Sequence, residues 1–310
     1  MKELFPSPTP TPLSELFQKQ PADTNRFAAG IGRLCALRKK DTKEEVKMQK
    51  FQCWAAEHKS VAFVLLSCFL CVVYTGVLFF FHAPWWLIMI VDLFMILATY
   101  CYVDNCTLKL LQRNYAILRE QCDPYPYLHQ VEAVIAKTKS EARVQILTID
   151  LAVALVYMGD YRKVYDILKS INIDKFASTF PIQKVCYYNN LADVCMKLED
   201  FEEAELWYKK SVQLYADIKN SKLKAGFAGT MKSGEISVLY CKKDYDGALE
   251  LLNSRKPECL LIEVEDALLC ARIYIAQGKT ELAKQKLQYV IANGNRTCLV
   301  SEAQELMKIL

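Results

Sequence analysis

Cys68 and Cys71 stand in a Cys-x-x-Cys spacing, and Asp92 follows with no other charged residue between Lys59 and itself. On a helix, positions three apart share a face. Two thiols placed so could do redox or metal chemistry. In an apolar run the same pair also serves as two small packing residues, and that reading is preferred here. Asp92 is a sharper signal. A carboxylate in hydrocarbon costs roughly 2.5–3.5 kcal/mol on insertion scales, so it calls for a partner or a pathway. Tyr74 and Thr75 are the nearby polar residues that could pair with it. Structural pairing or an oligomer contact is the expected role; transport, or a shallow hydrated position, are the alternatives.

Other chemistry is sparse. His58, His82 and His129 are isolated in the chain, so neither a metal site nor a nucleophile–base pair is expected. The ten glycines form no phosphate-cradling GxxxxGK[ST] or GxGxxG pattern. No catalytic, cofactor-binding or metal-ligating residue is therefore assigned, and the chain reads as a non-enzyme. Cys53, just before the apolar run, is a palmitoylation candidate.

The element that carries Asp92 is the apolar stretch 60–103, broken once at His82-Ala83-Pro84. One crossing takes about 20 apolar residues, so the stretch reads as two helices, 60–81 and 85–103. The first has 22 residues, about 33 Å at 1.5 Å per residue. Pro84 suits a helix start, and Trp85 and Trp86 suit an interfacial belt. A turn this short makes the helices antiparallel and brings both chain ends to one side. Lys and Arg name that side. Arg33, Arg38, Lys39, Lys40, Lys43, Lys47, Lys50 and Lys59 precede the hairpin, and Lys109, Arg113 and Arg119 follow it. The positive-inside rule puts both termini in the cytoplasm of a cell membrane. The competing reading is a buried hairpin in a soluble core.

The net charge of +4 is mild and concentrated before the hairpin, which favours a membrane surface over nucleic acid. The first apolar run lies behind a polar leader, so no secretory signal is expected. Thirteen cysteines are scattered through apolar positions such as Cys186, Cys195, Cys241 and Cys270, as free thiols in a reducing cytosol would be. Residues 1–22, with Pro6, Pro8, Pro10 and Pro12, read as a disordered leader. Residues 23–59 read as a basic juxtamembrane helix. Residues 104–126 extend the second span and end in the linker Asp123-Pro124-Tyr125-Pro126.

From 127 to 310 the pattern is helical and internally repetitive. Gly159-Asp160-Tyr161, Glu199-Asp200-Phe201, Lys243-Asp244-Tyr245 and Gly278-Lys279-Thr280 mark four turns. At fixed offsets around them stand Ala152, Ala192, Ile236 and Ala271; Val164, Ala204, Ala248 and Ala283; and Leu168, Tyr208, Leu252 and Leu287. Small residues let paired helices approach, and the larger residue reaches the next pair. A pair cannot bury its apolar face alone, so pairs stack. Val300–Leu310 caps the stack.

These spacings resemble the tetratricopeptide repeat (TPR). The second unit carries it best, with Tyr188, Leu191, Ala192 and Cys195, then Asp200, Phe201, Ala204 and Tyr208; the fourth follows with Ala267, Cys270, Ala271 and Tyr274. The turns are 40, 44 and 35 residues apart, against about 34 in the family. The resemblance implies an all-α fold, a transmembrane hairpin followed by a TPR-like α-solenoid. It also implies a scaffold that binds a protein or peptide in a cytoplasmic groove. By the family's pattern the groove residues are Asn189, Asp193, Lys197, Ser233, Ser237 and Arg272. The hairpin also offers a surface for a homo-oligomer. The alternative function is an accessory or assembly subunit of a transporter, channel or membrane enzyme, with Asp92 functional.

Overall fold

The computed structural model describes residues 43–173 and 181–310. The Pro-rich leader 1–22 and residues 23–42 of the basic segment lie outside them. By compactness the chain divides into Met1–Trp54 and Ala55–Leu310. Among the described residues there are thirteen α-helices and no strand. The first, α1, covers Lys43–Glu57.

Two helices are long and apolar enough to cross a membrane: α2 (Lys59–Phe80) and α3 (Trp85–Gln121). Only 11% of the most apolar window of each is buried. Val72, Phe79, Phe80 and Phe94 all face outward. A helix in the core of a soluble protein is mostly covered, so the buried-hairpin alternative does not describe this fold. Between the helices, His82 takes a left-handed φ of 52°, and its N–H donates to the Phe79 carbonyl at 3.0 Å. Pro84 then precedes α3 in extended conformation, where its missing N–H costs nothing. The cross-helix pairs Lys59–Asp104, Phe63–Tyr100 and Thr75–Asp92 establish an antiparallel register.

Helix α3 does not stop where its apolar stretch ends. It runs unbroken to Gln121, and Leu111 and Leu118 are buried in the helical core that follows. Cys122 ends it in left-handed conformation, its N–H donating to the Leu118 carbonyl at 3.0 Å. One continuous helix thus carries the apolar span into the helical region.

That region consists of α4 (Tyr125–Lys137), α5 (Glu141–Val156), α6 (Tyr161–Ser170), α7 (Pro181–Lys197), α8 (Phe201–Ala216), α9 (Ser221–Cys241), α10 (Tyr245–Ser254), α11 (Leu260–Ala276), α12 (Thr280–Asn293) and α13 (Cys298–Lys308). Pairs α5–α6, α7–α8, α9–α10 and α11–α12 pack against each other, and α7 also touches α5 and α9. Their four turns share one geometry. Gly159, Glu199, Lys243 and Gly278 all have φ between 62° and 87°. The next N–H reaches back five residues: Asp160 to Leu155, Asp200 to Cys195, Asp244 to Leu239 and Lys279 to Tyr274, at 2.8–3.3 Å. The Asp200 and Asp244 carboxylates also accept from the N–H of Glu203 and Gly247, both at 3.1 Å, which caps α8 and α10. All twelve residues at the repeating offsets around these turns are buried.

The last helices return to the first. The Cys298 N–H donates to the Tyr157 carbonyl at 2.8 Å, and the Arg296 N–H to the Cys122 carbonyl at 3.2 Å. Residues of α3–α7 and α11–α13 share one apolar core.

Candidate functional site

Five of the six residues assigned to a groove line one cavity of about 100 Å³. Asp193 and Lys197 come from α7, Ser233 and Ser237 from α9, and Arg272 from α11. On α7 and on α9 the two members are four apart, so one face of each supplies them. The sixth, Asn189, does not line this cavity. It lies under Gly234, where a Cβ would stand 3.1 Å from its Oδ1 and 2.5 Å from Tyr208 Cε2. Asn189 therefore belongs to the close contact between α7 and α9.

The cavity holds charges that the repeat pattern did not single out: Arg255, just after α10, and Glu265 and Asp266 on α11. Arg255 forks onto Asp266, with Nε at 2.8 Å from Oδ2 and Nη2 on Oδ1, and its Nη1 donates to Ser233 Oγ at 2.6 Å. Arg272 pairs with Glu302 of α13. Lys197 has no ion pair within 4 Å among the described residues. A trace of these groups does exist in the sequence. Glu265 and Asp266 stand side by side in the mostly apolar α11, Leu260–Ala276, and buried charges come with partners. Phe201 stands at the rim, exposed despite its size.

Burial pushes the Glu265 carboxyl up to about 7; Lys197 counteracts this and Asp193 adds to it. The hydrogen bond with Tyr157 also favours its ionised form. Asp150 on α5 behaves similarly: burial raises it to about 6, against a hydrogen bond with Tyr127.

In the apolar hairpin, Thr75 Oγ1 lies 3.1 and 3.3 Å from the two Asp92 carboxylate oxygens. The neighbouring Tyr74 points outward instead. Asp92 is seven residues into α3, about 10 Å along the helix from the turn. Cys71 is half-buried beside it, with Sγ 4.0 Å from the Asp92 carbonyl, and Cys68 is exposed. The Cys-x-x-Cys pair thus splits between the helix contact and the outer surface. Among the described residues no group of three or more His, Cys, Asp or Glu side chains is placed to hold a metal ion.

At the other end of the hairpin, Asp104 joins three helices. It accepts from Lys59 at the start of α2 and from Arg143 Nη1 of α5, the latter at 3.2 Å. No periodic pattern marks this clasp, because its members lie 45 and 39 residues apart.

Comparison of the chain with protein-family models, with curated proteins and with solved structures gives no match. The tetratricopeptide resemblance therefore rests on the residues and spacings described above.

Proposed function

We propose that this chain is a membrane-tethered scaffold for protein–protein interaction, with a TPR-like solenoid displayed on the cytoplasmic side. The observation that carries this reading is the convergence of Asp193, Lys197, Ser233, Ser237 and Arg272 on one cavity. Residues from three separate helices at matching positions make a common surface, as a peptide-binding face requires. The antiparallel hairpin anchors the chain, and the Lys and Arg before α2 orient it by the positive-inside rule. Its action is binding, with partner choice set by the cavity's charges and by Phe201.

The accessory-subunit alternative has less support. Thr75 already donates to Asp92, so the carboxylate has a partner inside its own hairpin.

Site-specific photo-crosslinking of the full chain in its native membrane tests the scaffold. A probe at Ser237, in the cavity, should yield defined protein adducts that a probe at the exposed Glu250 does not. Equal adducts at both positions, or none at Ser237, would remove the groove from the account.

A further inference from the structure

We propose that the cavity between α7, α9 and α11 is a socket for one cationic side chain, a lysine or arginine, presented by the protein partner. The inference rests on the scaffold reading and specifies its chemistry.

Charge bookkeeping points that way. Asp193, Glu265 and Asp266 line the cavity, and Glu302 reaches Arg272 from α13. These four carboxylates meet three cations: Lys197, Arg255 and Arg272. Arg255 is held by Asp266 and Arg272 by Glu302. Asp193 and Glu265 are left to share Lys197. With every group ionised, the site is short of one positive charge. An anionic ligand would instead have to face two carboxylates whose charge is already only partly balanced.

Size and rim agree. A cavity of about 100 Å³ admits the tip of a long side chain and not a whole helix. Phe201 at the rim is 44% exposed. An exposed ring beside carboxylates covers the aliphatic stem of Lys or Arg and attracts its charged head.

Occupancy is linked to protons. The groups around Glu265 are Tyr157 after α5, Asp193 and Lys197 on α7, Arg255 before α11, Cys122 after α3 and Cys298 at the start of α13. Lys197 and Arg255 are the only cations in that set, and both are present with the socket empty. A further cation selects the ionised Glu265 carboxylate. A carboxyl at about 7 is about nine-tenths protonated at pH 6 and about nine-tenths ionised at pH 8, so binding weakens about tenfold between pH 8 and pH 6.

The test uses the full chain in phosphatidylcholine nanodiscs, with Nα-acetyl-lysine methylamide as the probe and saturation-transfer NMR as the readout. The norleucine and glutamate analogues, and empty nanodiscs, are controls. The lysine amide should give a saturable signal about tenfold stronger in affinity at pH 8 than at pH 6. Asp193→Asn should weaken binding and keep the pH dependence. Glu265→Gln should weaken it and remove the pH dependence, with helical circular dichroism unchanged. Preference for the norleucine or glutamate analogue, or no saturable signal, overturns the proposal. If Ser237 adducts persist while the lysine amide fails, the scaffold stands and the cationic socket falls. Loss of both removes both.

Discussion

At the scale of single residues, the charged groups of the cavity have the clearest consequences. Glu265 titrates near 7 in the folded chain, against an ordinary 4.5. The folded state then binds the proton more tightly than the unfolded one. Its favourable contribution is complete below about 4.5 and is lost as pH rises through 7, by up to about 1.4 kcal/mol per pH unit. Asp150 adds a slope of the same sign between 3.8 and about 6. Thermal unfolding should therefore show falling stability from pH 5 to pH 7, and Glu265→Gln should flatten the part above about pH 6. An unchanged slope in that variant would assign the titration elsewhere. Asp92 gives a second prediction. Asn can still accept from Thr75, so Asp92→Asn should leave the hairpin's stability within a few tenths of a kcal/mol. Thr75→Val removes the donor and should cost about 0.6–1.7 kcal/mol. Reversible unfolding in bicelles measures both, and a large loss with Asp92→Asn would make the carboxylate's charge the essential feature.

At the scale of elements, the four turns behave as one device. Each needs a left-handed residue before the second helix, and two turns supply glycine while two do not. Glu199 and Lys243 both sit at φ 62°, a conformation that disfavours a Cβ by about 1 kcal/mol. Glu199→Gly and Lys243→Gly should each raise stability by up to that amount, read as a higher Tm. Gly159→Ala should do the reverse. Its φ is +87°, and a Cβ there meets Cys298 Cβ at 3.1 Å. Alanine at that turn would therefore meet both an unfavourable φ and the contact with the start of α13. Equal Tm values for the glycine and parent forms at positions 199 and 243 would show that the neighbouring contacts already absorb the strain.

At the scale of the whole Ala55–Leu310 unit, α3 is the shared element. Its first half pairs with α2, and its second half is core for the helical region. Asp104 lies between those halves and holds Lys59 and Arg143 together. Each of these groups is a quarter to a third exposed, so the pairs are partly screened. Asp104→Ala should cost on the order of 1 kcal/mol. It should also speed hydrogen exchange at the start of α2 and of α5 more than elsewhere. Uniform exchange across the chain would mean that the clasp only adds to global stability.

The sequence by itself determined the helical periodicity, the two apolar helices with their break at Pro84, and the four turns with small residues around them. Each of these is a local property: hydropathy over about 20 residues, a residue type at a turn, or a spacing along one face. It also narrowed the partners of Asp92 to Tyr74 and Thr75, because an antiparallel hairpin leaves few choices, and the fold selects Thr75. The cavity's make-up was less legible. Asp193, Lys197, Ser233, Ser237 and Arg272 followed from the tetratricopeptide resemblance, but Arg255, Glu265 and Asp266 did not. Asn189, implied with them, packs under Gly234 instead. Only the tertiary structure decided the pairing of Arg255 with Asp266, of Arg272 with Glu302, and of Asp104 with Lys59 and Arg143. Those pairs depend on the angles at which helices stack and on the return of α13 to α5. Such angles come from packing between distant segments, which no short window of sequence contains.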